Sequence, residues 1–163
     1  MDNLQKSVLN LLRENARYSI EQISKITGAK NEDVAVAIKA LEDSGAIVKY
    51  SAIINGEVLG EKHVQALIEV KVAPQKLKGF DSCAEEINEF SEVQSLYLMS
   101  GGFDLAIFVE GNDISDIARF VAEKLSVIDG IVAVQTHFIL KKYKIEGQIT
   151  KPLSERERQI ILA

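Results

Sequence analysis

The residues best suited to chemistry form one short run, Ser100-Gly101-Gly102-Phe103-Asp104. Successive glycines leave backbone N–H groups open to an approaching carboxylate, and an aspartate at the end of the run can offset an ammonium charge. Read in that way, Ser100, Gly101, Gly102 and Asp104 would receive a small zwitterion such as an amino acid, with Thr136 lining the same pocket. The same residues have a purely structural reading, because two glycines make a tight turn, an aspartate bonds backbone groups there, and threonine is a good β former. Elsewhere the chemistry is sparse. His63 and His137 have no third ligand at metal spacing. Cys83 is the one cysteine, so neither an internal disulfide nor a cysteine metal cluster can form, and it reads as a small apolar helix residue. Lys141, Lys142 and Lys144 read as a solvated strand end. No cofactor is expected.

The elements that would hold this run follow from periodicity. Val64 to Val72 alternates apolar and polar residues, which predicts a strand with one apolar face. Phe80, Ala84, Ile87 and Phe90 fall at helical spacing, with Asp81 or Ser82 as cap. Val93 to Met99 and Phe103 to Val109 read as antiparallel strands joined at Ser100-Gly101-Gly102. Asp113 to Ile128 reads as a second helix, its stripe formed by Ile114, Ile117, Val121, Leu125 and Ile128. Gly130 opens a last strand reaching about Leu140. This order is the ferredoxin-like βαββαβ pattern, with both helices on one face of the sheet. Ala106 and Phe108 are apolar on the other face, and the last strand carries apolar residues on both sides. Strands apolar on both faces are buried on both, so a second copy of the chain is the simplest cover.

Ahead of that domain, Asp2 with Gln5 and Ser19 with Gln22 form two capping boxes, each followed by an apolar stripe. Gly28 suits the turn after the second helix. Asn31 is the expected cap of a third helix, whose stripe is Val34, Ile38 and Leu41, with Gly45 ending it. Ile47 to Ile54 is β-branched and predicts a strand. Three short helices and a strand suggest a winged helix-turn-helix, in which the third helix enters the major groove and the wing touches the backbone. A three-helix packing unit without a DNA role has the same periodicity. The resulting boundaries are 1–54 for the winged helix-turn-helix, 55–63 for a linker containing Gly56 and Gly60, 64–145 for the ferredoxin-like domain, and 146–163 for a tail. Ser154 with Glu157 predicts a short helix in that tail. The fold class is α+β.

Composition narrows the function further. Apolar residues make up 47% and charged residues 26% of 163 positions, the balance of a soluble globular chain. No apolar run approaches the roughly 20 residues that cross a bilayer, and Met1 to Gln5 lacks the blocks of a signal peptide. A cytoplasmic protein without membrane partners is expected. The net charge of −5 opposes DNA binding as a global property, since affinity for duplex DNA rests on neutralising phosphates. Any DNA contact therefore needs a local surface, and Lys30, Lys39 and Lys49 are its candidates on the third helix and wing.

Between about Leu4 and Tyr143 the chain resembles the Lrp/AsnC (feast/famine) family. The matching residues are Leu11-Leu12, Arg17, Ile23, Val34, Ile38, Leu41, Gly45-x-Ile47, Tyr50 and Leu59-Gly60, followed by Ser100 to Asp104, Gly130-Ile131, Thr136 and Leu140. The resemblance implies a winged-helix DNA reader, dimers that associate into tetramers or octamers, and a small effector, often an amino acid, bound between second domains. One departure stands out. The third helix of the family usually carries several Arg or Lys residues on its exposed face, where this chain has Ala35, Val36, Ala37 and Ala40. Residues 1 to 55 hold seven basic and seven acidic side chains, so the first domain is neutral. Two further classes stay open on these grounds. A ligand-sensing or assembly protein of the same fold would have lost DNA binding. A haem-biosynthetic decarboxylase-like enzyme would need cationic and acid-base groups, where the second strand of the domain offers only Tyr97.

Overall fold

The computed structural model describes residues 1–56, 60, 63–73 and 80–150. The chain divides into two compact units, Met1–Ile54 and Asn55–Ala163. The tail helix expected at 154–162 lies outside the described residues.

Unit one holds α1 (Asn3–Glu14), α2 (Ile20–Thr27) and α3 (Asn31–Asp43). Both capping boxes form. The Gln5 N–H donates to the Asp2 carboxylate at 2.7 Å, and the Gln22 N–H donates to Ser19 Oγ at 3.2 Å. Each box satisfies backbone donors that the helix itself leaves open. Gly28 ends α2 at φ +74°, a conformation costly for a residue with a Cβ. Ser24 Oγ donates to the Ala29 carbonyl, and Thr27 Oγ1 donates to the Ile23 carbonyl at 2.8 Å. These hydroxyls pin the α2–α3 turn and so fix the angle at which α3 leaves it. Val8, Ile23, Val34, Ala37 and Leu41 form the core, with Leu11, Leu12, Ile38 and Ile47 packed around it.

Two expectations for this unit are corrected. Asn31 is the first helical residue of α3 rather than its cap, and Lys30 occupies the cap position without a side-chain bond. Residues 47–54 form no strand. Strand structure requires a hydrogen-bonded neighbour, and the described part of unit one has no other extended segment to provide it. Val48 is accordingly 92% exposed.

Unit two is built on a four-stranded antiparallel sheet of β1 (Val64–Val72), β2 (Val93–Leu98), β3 (Leu105–Gly111) and β4 (Ile131–Phe138), in the spatial order β2-β3-β1-β4. With α4 (Asp81–Asn88) between β1 and β2, and α5 (Ile114–Phe120) between β3 and β4, this is the ferredoxin-like arrangement. Ile68 stands opposite Ile107 on one side and Thr136 on the other. Ala66, Ile68, Val70, Leu105, Ile107 and Val109 meet Cys83, Ile87, Ile117, Phe120 and Leu125 in one buried core. Phe90 and Phe120 pack edge to face at 5.6 Å, a geometry favoured by the ring quadrupoles.

The second long helix departs from its expected form. After Phe120 it widens into a π-helical turn, Val121–Leu125. The five-residue step of that turn brings both Phe120 and Leu125 onto the sheet. Ile114, expected in the stripe, is the first residue of the helix after its Asp113 cap and is 58% exposed, whereas Ile117, Leu125 and Ile128 of the same stripe are buried. Neither Asp81 nor Ser82 caps α4, where Phe80 takes the cap position. A two-stranded hairpin, β5 (Lys144–Ile145) and β6 (Gln148–Ile149), follows β4. Glu146 and Gly147 form its turn, both at positive φ.

Candidate functional site

The run from Ser100 to Asp104 lies where β2 passes into β3, and the chain ties it to the end of β1. The Met99 N–H donates to the Asp104 carbonyl at 2.8 Å, and the Asp104 N–H donates to the Val70 carbonyl at 2.9 Å. The Asp104 carboxylate accepts the Val72 N–H through Oδ2 at 2.8 Å. Lys71 Nζ donates to the Gly102 carbonyl at 3.2 Å. One carboxylate oxygen of Asp104 is thus engaged in holding the sheet end, and Lys71 brings a cation within reach of the same loop. At Gly101 and Gly102 the space where a Cβ would stand is open, with nothing inside 4 Å.

Thr136 is not brought to this loop within the chain. It lies on β4 opposite Ile68, across β1 from the hairpin. Ile68 precedes Val72 by four residues, roughly 13 Å along a strand. Its pairing with fully buried Ile68 also puts Thr136 on the helix-facing side of the sheet, where it is half-buried.

The face of the sheet away from the helices carries Leu67 and Glu69 of β1, Ala106 and Phe108 of β3, Tyr97 of β2, and Gln135 and His137 of β4. Tyr97 and Phe108 meet edge to face at 6.1 Å, and both are substantially exposed. His137 Nε2 lies 3.4 Å from Glu69, and His63 Nδ1 lies 3.9 Å from Glu110. The two histidines therefore have separate carboxylate partners, and no group of metal-ligating side chains occurs among the described residues. A hollow of about 330 Å³ beside α5 is lined by Glu92, Asp116, Arg119 and Lys124 among others. Its charges answer one another, with Lys124 on Glu92 at 2.5 Å and Arg119 on Asp116 at 3.3 Å. The hydrogen bond from Lys124 holds the Glu92 carboxyl below its ordinary range, against the opposing effect of burial. Burial, helped by Glu86 and Asp129, pushes the Cys83 thiol up, which leaves it a packing residue.

In unit one, Val34, Ala37 and Leu41 face the core, so Glu32, Val36, Lys39 and Asp43 lie on the outer side of α3. Lys39 Nζ pairs with Asp43 at 3.2 Å. No ion pair engages Lys30 or Lys49 among the described residues. Tyr50 donates to Glu42 at 3.0 Å. Burial and that bond raise the phenol pKa and fasten residue 50 to the end of α3.

Comparison with known proteins decides what these two units are. The Lrp/AsnC ligand binding domain family matches residues 65–149, and a winged helix-turn-helix DNA-binding family matches residues 1–48. The chain belongs to the Lrp/AsnC family. The HTH-type transcriptional regulator YugG of Bacillus subtilis is 44% identical over 94% of this chain and 93% of its own length. The HTH-type regulator LrpA of Pyrococcus abyssi is 34% identical over 88% of this chain and 99% of its own. Among solved structures, AsnC of Escherichia coli superposes with a TM-score of 0.68 at 22% identity, covering 93% of this chain and 99% of that one. A Neisseria meningitidis transcriptional regulator in complex with L-Met gives 0.67 at 24% identity, covering 96% and 99%. Like other Lrp/AsnC proteins, this chain is a DNA-binding transcription regulator with a ligand-binding domain, and the winged helix-turn-helix reading prevails over the plain three-helix unit. No described helix is long and apolar enough to cross a membrane.

The partnership of Lys71 and Val72 with the hairpin leaves no mark in local periodicity, because the contacting residues stand 31 and 32 positions apart. The β5–β6 hairpin had a readable signal in Glu146-Gly147, an acidic residue and a glycine at a two-residue turn.

Proposed function

We propose that this regulator works as an oligomer in the cytoplasm, couples duplex binding at α3 to a small amino acid held at the 100–104 hairpin, and assembles through the sheet face bearing Ala106 and Phe108. The observation that carries the effector site is the open space at Gly102. Gly102 does not adopt the positive φ that would demand a glycine, and a Cβ there would meet nothing within the chain. What a side chain would obstruct is the approach of an outside group to the loop amides. Asp104 adds a negative charge for an ammonium, and Lys71 a positive charge for a carboxylate. The L-Met complex of the Neisseria relative supports an amino acid as the ligand class. Within one chain Thr136 lies apart from such a site, on the helix-facing side of the sheet, and the effector is assigned to the place where second domains meet.

DNA contact is assigned to Lys30, Lys39 and Lys49. Lys39 must leave Asp43 to reach a phosphate, an exchange of small cost because the pair is exposed on both sides. The regulators among its relatives support a non-enzymatic role.

The test of the effector site is a calorimetric screen of the common amino acids on the full chain, with thermal shift as second readout. Binding by one amino acid, lost in Asp104→Asn while the fold persists, is the expected result. No heat and no stabilisation with any of them would leave Gly101, Gly102 and Asp104 as turn-forming residues alone.

A further inference from the structure

Val36 occupies the middle of the outer face of α3 and is 69% exposed, more than any other large apolar side chain on the three helices of unit one. Local structure does not account for it, since valine is a weaker helix former than the alanines beside it. Nor does the core, which is completed by Val34, Ala37 and Leu41 one helical face away. The side chain neither donates nor accepts a hydrogen bond, so the one feature of a base pair it can recognise is the 5-methyl group of thymine in the major groove. Its position suits that role. A reading helix touches base edges with its N-terminal residues, and Val36 is the sixth residue of α3. Glu32, one turn earlier on the same face, cannot bind phosphate, while its carboxylate can accept from a cytosine amino group, so the stripe suits base edges rather than the backbone. Ala35 and Ala40 keep the flanks of Val36 small enough for a methyl group to come close.

We propose that Val36 is a specificity-determining residue of this regulator, packing against a thymine methyl in each half-site. The assignment rests on the DNA-binding reading of α3. It also gives the shortage of Arg and Lys on this helix a purpose, in that apolar methyl contact replaces part of the hydrogen-bonded readout.

The experiment uses the full chain and a duplex it recovers from a random pool. Each thymine is replaced singly by deoxyuridine, which removes only the 5-methyl group. The wild type should lose about fourfold in affinity at one thymine per half-site, the factor that corresponds to about 0.8 kcal/mol for one buried methyl-sized group. Val36→Ala should bind the parent duplex correspondingly more weakly, show no further loss at that deoxyuridine, and keep the salt dependence of the wild type. Because Val36 lies outside the core, its alanine variant should melt with the wild type. Affinity unchanged by every deoxyuridine, or a loss of equal size in Val36→Ala, would overturn the assignment to Val36 while leaving DNA binding intact. Recovery of no duplex would overturn both readings.

Discussion

The Asp104 carboxylate accepts the Val72 backbone N–H at 2.8 Å, joining the β2–β3 connection to the end of the neighbouring strand. Val72 is 4% exposed, so this donor has no ready substitute in water. A residue first attractive as a ligand group therefore also has a structural duty, and variants must separate the two. Asp104→Ala should cost about 1–3 kcal/mol of stability by stranding a buried N–H. Asp104→Asn keeps an acceptor and should cost much less while still removing the charge that an ammonium needs. Chemical denaturation of both variants checks the first claim. Asn as destabilising as Ala would show that charge, rather than the cap, is what the fold requires.

The uncovered face of the sheet should behave as an interface between copies. Phe108→Asp sets a charge among Leu67, Ala106 and Tyr97, where burial without a partner is costly. Sedimentation should find the wild type dimeric or larger and the variant dissociated or unfolded. A stable wild-type monomer would contradict the assembly.

Asp43 competes with phosphate for Lys39. Asp43→Asn removes both the competitor and a negative charge from the outer side of α3, so duplex binding should tighten several-fold at low salt and the gain should fade as salt rises. Equal affinity for the two proteins at low salt would remove Lys39 from the DNA surface.

Acid stability should carry a contribution from Glu92. Its folded pKa is depressed by the Lys124 hydrogen bond, so the stabilisation is present above the unfolded carboxyl pKa and is lost as pH falls through the lower, folded value. The pair is partly exposed, which limits the effect to roughly 0.2–1 kcal/mol. Lys124→Met should lower stability near neutral pH by that amount and converge with the wild type under acid. A difference that persists undiminished at low pH would mean that Lys124 stabilises through packing on Phe90, over which its ammonium lies at 5.6 Å.

Local rules carried the sequence reading a long way. Asp2 with Gln5, Ser19 with Gln22, and Gly28 act through neighbours within four residues, and each stands where its spacing places it. The strands of unit two were legible because Ala66, Ile68 and Val70 alternate against a buried helix layer. Reading failed where an outcome depended on distant partners. Ile47 to Ile54 has the composition of a strand but no neighbour to pair with. Thr136 matched a family pattern, yet register alone places it opposite Ile68. The π-helical turn after Phe120 shifted the helix phase by a residue, which no stripe of apolar positions discloses in advance. The candidate site was half legible, since the glycines and Asp104 announce a loop with open amides, whereas Lys71 and the Val72 N–H join it only through strand pairing.

DNA binding by unit one rests on its scattered lysines, Lys30, Lys39 and Lys49. The most direct measurement is a titration of the full chain against duplex DNA flanking its own gene across a range of salt, beside a variant with Lys30, Lys39 and Lys49 all changed to Ala. The predicted result is wild-type binding that weakens steeply with salt, and a variant that binds less tightly with a slope flattened by about one for each lysine lost. Binding of the variant indistinguishable from the wild type would place the DNA surface elsewhere, and the absence of wild-type binding even at low salt would contradict the account.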